Sequence, residues 1–247
     1  MKLEQYLEEI YKFLREYLVK SHTNGYVIGV SGGVDSSVVA AILKNAVGKD
    51  KVHGILIPIN SNPDDLTDGL TLCKDIDLDY TIIDGSASFN AAMEEFAKQG
   101  IEFDPSTKGN YKARMRMAIL YAYAQKHNML VTGTDNKDES YIGYFTKYGD
   151  GGVDVLPIVH LTKGEIRQIG QMLGIRKALV QRVPSAGLYQ GQSDEVELGF
   201  TYDECDDYLL GKPVRQEAID RIEAWHRKTE HKRVPIPSPI DYDREEE

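Results

Sequence analysis

The sequence predicts a doubly wound α/β fold, in which a mostly parallel five-stranded sheet carries helices on both faces and is followed by a helical C-terminal extension. Apolar segments of strand length alternate with segments of helical periodicity through residues 21–175. The strand segments are apolar throughout, which is typical of parallel strands buried on both faces. After residue 175 the alternation stops and a turn-rich segment begins.

The first 20 residues predict an amphipathic helix. Its aliphatic residues recur at helical spacing: Leu3, Leu7, Ile10, Leu14 and Leu18. The apolar stripe is broad, and either packing on the core or a subunit interface would account for it. Glutamates interrupt the segment, so it lacks the unbroken apolar stretch of a signal peptide.

Strands and helices then follow in turn. The five predicted strands span residues 26–30, 52–59, 80–84, 129–134 and 153–158. The predicted helices span residues 36–47, 64–76, 86–98, 109–127 and 162–174. In a parallel sheet of this kind, ligands bind beyond the edge formed by the carboxyl ends of the strands.

The last part of the chain has a different character. Residues 194–207 hold seven carboxylates and no lysine or arginine, residues 214–231 have helical periodicity, and alternating prolines predict an extended tail. We expect one domain over residues 1–247. Its parts are an N-terminal helix at 1–20, an α/β core at 21–175, a helical extension at 176–233 and an extended acidic tail at 234–247.

Composition limits the classes of function. The chain has 29 lysines and arginines against 39 acids, and its net charge of −10 argues against broad nucleic-acid binding. No apolar run is long enough to span a membrane. Cys73 and Cys205 are too few and too far apart for a disulfide framework or a zinc ribbon. We therefore expect a cytoplasmic protein that acts on small molecules, with neither a nucleic-acid nor a membrane partner.

The segment GVSGGVDSS, residues 29–37, has the features of a phosphate-binding loop. It follows a predicted strand and opens a predicted helix, whose first amides favour an anion. Gly32 and Gly33 allow close approach of the backbone, but Asp35 would repel phosphate unless Mg²⁺ lies between them. The loop lacks the Gly-Lys-Ser/Thr of a Walker A motif. An ordinary glycine turn is the alternative, and the full motif favours nucleotide binding.

The segment VTGTDNKDES, residues 131–140, begins at the end of the fourth predicted strand. Thr134 could contact a nucleotide there, and Glu139 could be a second metal carboxylate. A polar loop with three acids is, taken alone, more often plain surface. On the preceding helix, Arg114 and Arg116 lie among apolar residues, so an arginine that faces a ligand is plausible.

The segment FTKYGDGGVD, residues 145–154, combines charged residues with three glycines. Lys147 could neutralise a phosphate, and Asp150 could steer an ammonium ion or accept its proton. Lys163 stands at a predicted helix start, where a cation is unfavourable and an anionic partner is indicated.

SGGVDS resembles the pyrophosphate loop of the N-type ATP pyrophosphatases, and the whole set of motifs resembles the ammonia-dependent NAD synthetases within that superfamily. The segments that match are GVSGGVDSS, KGNYKARMRM, VTGT with Glu139, GYFTKYGDGGVD, TKGEIR, PSAGL, GQSDEVELG, TYDECDDYL and EHKR. They occur in the family's order over residues 26–233. Gly187 in PSAGL departs from the aspartate of many relatives, on the side of the site where the resemblance places the adenosine.

The resemblance implies an adenine-nucleotide α-hydrolase-like fold and the last reaction of NAD biosynthesis. In it, ATP and ammonia convert deamido-NAD into NAD, AMP and pyrophosphate through an acyl-adenylate. Family members are homodimers with the dinucleotide at the interface. The chain offers no glutaminase segment, so we expect free ammonia as the nitrogen donor unless a separate chain supplies it.

The resemblance also implies roles for individual residues. ATP phosphates would be held by Gly29, Val30, Ser31, Gly32, Gly33, Val34, Asp35 and Ser36, with further ATP contacts from Thr134, Lys163 and Ser185. Mg²⁺ would be bound by Asp35 and Glu139. Deamido-NAD would be contacted by Arg114, Lys147, Asp154, His231 and Lys232. The catalytic residues would be Lys163 and Asp150, the latter near the ammonia site.

Two alternatives stay open at this point. Another adenylating enzyme with the same loop, such as a GMP synthetase or a tRNA-thiolating enzyme, would share SGGVDS; the thiolating enzymes usually need reactive cysteines and a basic face, which this sequence lacks. A nucleotide-binding sensor without catalysis would not need Asp35, Glu139, Lys147 and Lys163 together.

Overall fold

The computed structural model describes residues 1–182 and 194–239. Its helices are α1 (Leu3–Lys20), α2 (Val34–Val47), α3 (Pro63–Asp75), α4 (Ser86–Lys98), α5 (Pro105–His127), α6 (Lys137–Ile142), α7 (Lys163–Met172), α8 (Lys177–Val180), α9 (Asp194–Leu198), α10 (Tyr202–Leu209) and α11 (Gln216–Lys228). Its strands are β1 (Gly25–Gly29), β2 (Val52–Leu56), β3 (Tyr80–Ile82) and β4 (Met129–Thr132). Short 3₁₀ turns lie at Lys49–Lys51 and Glu230–Lys232.

The described strands form one parallel sheet in the order β3-β2-β1-β4. The prediction of a fifth strand over residues 153–158 is wrong, because this segment makes only an isolated bridge between Thr132 and Val155. Asp154 explains the difference: its carboxylate accepts a hydrogen bond from the backbone N–H of Val131 at 2.8 Å. The Asp154 side chain thus occupies a backbone N–H of β4 that a fifth strand would need for its own hydrogen bonds. Farther along the segment, Pro157 has no N–H to donate to a neighbouring strand.

Helices cover both faces of the sheet. Tyr26 and Ile28 of β1 point into an apolar cluster with α1, α2 and α7, whereas Val27 points into a second cluster with α4 and α5. Side chains of a strand alternate between the two faces, so one apolar strand serves both layers. The doubly wound α/β class is therefore correct, with four strands in place of five.

The stripe on α1 packs into the core. Leu7, Ile10, Leu14 and Leu18 are buried in the first cluster, and the hydroxyl of Tyr26 donates to the carbonyl of Leu14 at 2.7 Å. Of the two interpretations of this stripe, the structure supports core packing. The stripe therefore gives no support to a subunit interface.

A third apolar cluster joins the helices of the C-terminal part to α6. Its buried members are Ile142, Leu198, Phe200, Cys205, Ala218 and Ile222. Because α6 follows β4 directly, this cluster fastens α9, α10 and α11 to the carboxyl edge of the sheet. Across the described ranges, no helix is both long enough and apolar enough to cross a lipid bilayer.

Candidate functional site

Three helix N-termini meet beyond the carboxyl ends of β1 and β4. Asp35 lies in the first turn of α2, Glu139 in the first turn of α6, and Lys163 is the first residue of α7. The ammonium of Lys163 lies 2.6 Å from Asp35 Oδ2 and 3.2 Å from Glu139 Oε1. The Lys163 side chain is only 3% exposed, and each carboxylate is 16% exposed. Residues that are 128 apart in sequence thus form one ion cluster.

Asn136 fixes the geometry of the two carboxylates. Its side-chain nitrogen donates to Asp35 Oδ1 at 3.2 Å, and its side-chain oxygen accepts from the N–H of Glu139 at 2.9 Å. Glu139 in return accepts from the N–H of Asn136, which completes a capping box at the start of α6. Sequence reasoning missed Asn136, although the spacing Asn-x-x-Glu is a capping signal.

Burial shapes the charges of this cluster. It raises the pKa of the Glu139 carboxyl to about 7, and the neighbouring Asp35 adds to the rise while Lys163 opposes it. Burial works against the charge of Lys163 as well, but Asp35 and Glu139 outweigh it and raise the pKa of the ammonium. Lys163 therefore stays a cation over the whole physiological range.

Serine hydroxyls fix the conformation of the phosphate loop, residues 29–37, through hydrogen bonds within the loop. The Ser31 and Ser36 oxygens lie 2.9 Å apart, and Ser37 donates to the carbonyl of Gly33 at 2.7 Å. Gly32 has a φ of +81°, and a Cβ there would lie 2.6 Å from the carbonyl oxygen of Asp65. Only glycine meets both conditions, so Gly32 allows this loop to pack against the backbone of α3.

Arg182 clamps the same loop from outside. Its guanidinium donates to the carbonyl of Gly32 at 3.0 Å and pairs with Asp65 and with Asp68, the latter at 3.0 Å. Two carboxylates of α3 and one loop carbonyl thus share one planar cation. Sequence reasoning did not find Arg182, since nothing in its local sequence links it to a loop 150 residues away.

A second group of predicted residues gathers around the loop between α6 and the 153–158 segment. Lys147 Nζ donates to the carbonyl of His231 at 2.6 Å, and Arg114 Nε donates to the carbonyl of Lys147 at 3.3 Å. Lys232 Nζ donates to the carbonyls of Gly143 at 2.7 Å and of Phe145. The structure thus brings Arg114, Lys147, His231 and Lys232 together from distant parts of the chain.

The remaining predicted residues occupy separate places. Asp150 accepts a hydrogen bond from the N–H of Thr146 at 3.0 Å and lies on the surface of the loop. Asp154 accepts one from the hydroxyl of Tyr121 at 3.0 Å and another from the backbone of β4. Thr134 is half-buried between β4 and α6. Ser185 lies outside the described residues.

Asp135 is a buried carboxyl that sequence reasoning passed over. It is 6% exposed, and burial together with the charge of Asp150 raises its pKa well above the usual range. Lys232 opposes that rise. Asp135 therefore lies within electrostatic reach of Asp150 and Lys232.

Two further carboxyls hold the start of α7. Asp138 and Asp206 both accept from the N–H of Lys163, at 2.8 Å and 3.2 Å, and Asp206 also accepts from the N–H of Gly164 at 2.8 Å. Burial and the neighbouring Asp206 raise the pKa of Asp138 to about 8. Free amides at a helix N-terminus prefer anionic partners, so this pair fixes the backbone that carries Lys163.

The donor set suits a hard divalent cation. Asp35 and Glu139 converge on one point and could serve as two protein ligands, and the described residues contain no group of three or more histidines, cysteines and acids that could hold a metal ion. Mg²⁺ commonly binds one or two carboxylates and takes its other ligands from water and phosphate oxygens. The Lys163 ammonium already lies between these carboxylates, which shows that a cation fits there.

Comparisons with known proteins point in one direction. Residues 6–236 match the family model described as NAD synthase. The chain is 42% identical over 246 residues to an NH(3)-dependent NAD(+) synthetase of Alkaliphilus metalliredigens, covering 97% of this chain and 99% of the relative.

Solved structures agree with the family match. An NMN synthetase from Francisella tularensis superposes with a TM-score of 0.91 at 37% identity, covering 98% of this chain and 100% of that one. An NH3-dependent NAD synthetase from Campylobacter jejuni superposes with a TM-score of 0.79 at 30% identity, with the same coverage.

Proposed function

We infer that this chain, which belongs to the NAD synthase family, is an ammonia-dependent NAD synthetase. It catalyses the ATP-dependent amidation of deamido-NAD to NAD, the last step of NAD biosynthesis. The observation that carries this function is the convergence of Asp35, Glu139 and Lys163 beside the phosphate loop. A binding module would need the loop alone, whereas charge neutralisation at a reacting phosphate needs the cluster as well.

The reaction runs through two substitutions. The nicotinate carboxylate of deamido-NAD attacks the α-phosphorus of ATP, forming a P–O bond while the bond to the β-phosphate oxygen breaks and pyrophosphate leaves. Ammonia then attacks the carbonyl carbon of the acyl-adenylate, forming the C–N bond while the acyl C–O bond breaks and AMP leaves. The nitrogen gives up a proton in this second step. The enzyme's main contribution is positioning and charge neutralisation.

The phosphate loop and Lys163 act on the leaving pyrophosphate. The loop would offer its backbone amides and the N-terminus of α2 to the phosphates. Lys163 has a flexible stem and a permanent charge, so its ammonium can turn from the carboxylates to a phosphate oxygen. Thr134 and Ser185 are proposed as further ATP contacts.

Asp35 and Glu139 would hold Mg²⁺. When bound, the ion neutralises charge on the phosphates and on the departing pyrophosphate. Asn136 keeps both carboxylates aimed at one point, because its amide bonds to each residue. A cation held in this way would account for an aspartate in a phosphate loop.

We assign the basic group around the 143–154 loop to deamido-NAD. Arg114 and His231 are exposed beside Lys147, so their polar groups can reach a ligand. Lys232 bonds to loop carbonyls and therefore shapes the loop as well as adding charge. Asp154 is tied to Tyr121 and Val131, and its contact with the substrate stays a prediction.

The proton released from ammonia goes to the acid pair of this region. Asp150 lies on the loop surface and Asp135 lies buried behind it, and their proximity favours one shared proton. When one carboxyl of this pair already holds a proton, the other can accept the proton that the nitrogen releases. We propose Asp150 as the residue nearest the nitrogen.

A homodimer is proposed as the working assembly. Exposed Arg114 lies on α5, a 23-residue helix of which only three residues are buried: Gly109, Ala113 and Ala124. A second copy of α5 would cover this helix and place the substrate group at the interface. We therefore expect substrate binding and assembly to depend on each other.

One observation favours a second candidate, the amidation of a mononucleotide. The TM-score of 0.91 to the NMN synthetase exceeds the values of 0.79 and 0.78 to two NAD synthetases. The same chemistry applied to nicotinate mononucleotide would give NMN, because the reacting carboxylate is identical. Deamido-NAD carries an adenylate half that nicotinate mononucleotide lacks. The two candidates therefore differ only in whether the site binds that half.

One assay tests both candidates. The purified chain is incubated with ATP, Mg²⁺ and either deamido-NAD or nicotinate mononucleotide, with ammonium or glutamine as nitrogen donor, and products are separated by chromatography. We expect NAD and AMP from deamido-NAD with ammonium and none with glutamine. A higher kcat/KM on the mononucleotide would replace the first candidate by the second. ATP binding without either product would refute both.

A further inference from the structure

Tyr202 links the C-terminal helices to the ion cluster. It is the first residue of α10 and is 1% exposed. Its hydroxyl lies 3.3 Å from Glu139 Oε1 and 3.2 Å from Asp194 Oδ2. The centre of its ring lies 4.6 Å from the ammonium of Lys163. Neither the sequence motifs nor the function described above assigns this side chain a role.

The hydroxyl is a single donor placed against a carboxylate of the proposed cation site. A phenol carries one O–H, so it donates to one carboxylate at a time. The hydroxyl contacts Glu139 Oε1, whereas the backbone N–H of Asn136 donates to Glu139 Oε2, so the two contacts restrain different oxygens of the carboxylate.

The ring serves Lys163 in a different way. An aromatic face attracts an ammonium within about 6 Å of its centre, and desolvation strengthens the attraction. Lys163 is enclosed by this face and by the Asp35 and Glu139 carboxylates. The ring limits the directions in which the flexible stem can carry the charge.

We propose that Tyr202 is a positioning residue with two separable actions: its hydroxyl orients Glu139 for the cation, and its ring orients Lys163 for the ATP phosphates. This inference rests on the proposed function of the site. The two actions use different parts of one side chain, so two substitutions distinguish them. Tyr202→Phe removes the hydroxyl alone, and Tyr202→Met removes the ring while keeping an apolar side chain in the core.

The first measurement is Mn²⁺ binding to the full-length protein in the presence of a non-hydrolysable ATP analogue, followed by electron paramagnetic resonance. We expect both variants to bind Mn²⁺ about tenfold more weakly, the size of one hydrogen bond to a charged group. The second is the KM for ATP at saturating Mg²⁺. We expect it to stay within about twofold in Tyr202→Phe and to rise about threefold to tenfold in Tyr202→Met.

Tyr208→Phe is the matched control. It removes a hydroxyl from the same helix, but that hydroxyl contacts Tyr141 and Glu223 and lies away from the ion cluster. We expect wild-type Mn²⁺ affinity and wild-type KM for ATP in this variant. Thermal unfolding of all variants shows whether a change in binding merely follows a loss of stability.

A double-mutant cycle keeps the test decisive if Tyr202→Met folds poorly. Glu139→Gln and Tyr202→Phe are combined, and Mn²⁺ affinity is measured for each variant. If the hydroxyl acts through Glu139, the double variant is no weaker than Glu139→Gln alone. Additive losses, or unchanged Mn²⁺ affinity in Tyr202→Phe, would overturn the proposal.

These outcomes are distinct from failure of the proposed function. Cation and nucleotide binding are measured without turnover, so they report on Tyr202 even if deamido-NAD is not the substrate. Wild-type protein that binds Mn²⁺ and the analogue but makes no amide would refute the function and leave the positioning role standing.

Discussion

Lys163 occupies the place of a cation between two carboxylates, and this has a consequence for the order of binding. A divalent ion that arrives without ATP must displace an ammonium held 2.6 Å from Asp35. In the proposed complex with ATP, the phosphates would give Lys163 a new anionic partner. Cation and nucleotide should therefore bind with positive coupling.

Removing the charge of Lys163 tests this coupling. In Lys163→Met we expect Mn²⁺ alone to bind about tenfold more tightly than in the wild type, because Asp35 and Glu139 lose their internal counter-charge. Activity should nevertheless fall by about 10² to 10³, since a stabiliser of developing phosphate charge is lost. Isothermal titration with and without ATP, and steady-state rates, give both quantities.

Lys49→Met provides the comparison, because Lys49 pairs with Asp77 on the surface. It should leave both cation affinity and rate unchanged. Equal Mn²⁺ affinity in wild type and Lys163→Met would show that the lysine does not compete for the site.

The backbone conformation of Gly32 can be tested by substitution. Gly32→Ala adds a Cβ 2.6 Å from the carbonyl of Asp65 at a φ of +81°. We expect the loop to shift and the KM for ATP to rise at least tenfold, with a loss of stability above the roughly 1–2 kcal/mol of left-handed backbone alone. Steady-state kinetics and urea unfolding measure the two effects.

Gly48→Ala separates backbone strain from the clash. Gly48 has a φ of +84° but no heavy atom within 4 Å of the added Cβ. It should lose stability only, with an unchanged KM for ATP. Similar kinetics for the two alanine variants would mean that the loop conformation at Gly32 is not needed for ATP.

At the scale of elements, the junction of α6, α7 and α10 depends on a buried acid pair. Asp138 and Asp206 share the N–H of Lys163, and the pKa of Asp138 is raised from 3.8 to about 8 by burial and by Asp206. The folded protein thus binds a proton that the unfolded chain releases above pH 4. Stability from this group is full at low pH and declines as pH rises toward 8.

Asp138→Asn should flatten that dependence. The amide stays neutral, so we expect the free energy of unfolding to vary less between pH 5 and pH 8 and to exceed the wild-type value at pH 8. Urea unfolding at four pH values gives the curves. Asp77→Asn is the control, because a lowered pKa at that exposed site acts only below this pH range. Parallel curves for wild type and Asp138→Asn would contradict the raised pKa of Asp138.

The sequence predicted the long elements because their periodicity is regular over many residues. Helices α1, α4 and α5 and the four strands fall where apolar spacing places them. The segment 153–158 was predicted as a strand from its apolar residues, and the Asp154 side chain prevents the ladder. Periodicity does not reveal which backbone donors a side chain will take.

Short helices were missed for a different reason. Helix α6 has six residues and α10 has eight, too few for a periodic pattern. Both begin with a capping box, Asn136 with Glu139 and Thr201 with Glu204, and that signal was available in the sequence. Asp206 and Tyr202 could not be assigned to the site, because only the packing of α10 on α6 and α7 brings them there.

In the molecule as a whole, the candidate site lies where helices of different apolar clusters meet. Helix α2 belongs to the first apolar cluster, and α6 and α10 belong to the third. The α5 helix, which carries Arg114, lies on the opposite face of the sheet. A ligand that spans the ion cluster and the basic group would therefore touch several layers. Within them, α5 is only sparsely covered, since three of its 23 residues are buried.

This incomplete cover leads to a prediction about assembly. Ala118 and Ala122 follow Arg114 at four-residue intervals on α5, and all three are exposed. Small side chains on one helix face permit close packing against a second copy, whereas a buried unpaired carboxylate there would be costly. We expect Ala118→Glu with Ala122→Glu to convert a dimer into a monomer at micromolar concentration. Light scattering measures the mass, and the KM for deamido-NAD should rise in parallel if Arg114 acts at the interface.

Ala224→Glu places the same charge on an exposed position of α11 and should change neither quantity. The paired measurement separates two causes. A monomeric double variant with an unchanged KM would confine the substrate site to one chain and remove Arg114 from any shared interface. A wild-type protein that is monomeric and fully active would refute the proposed dimer, and the uncovered face of α5 would then need no partner for catalysis.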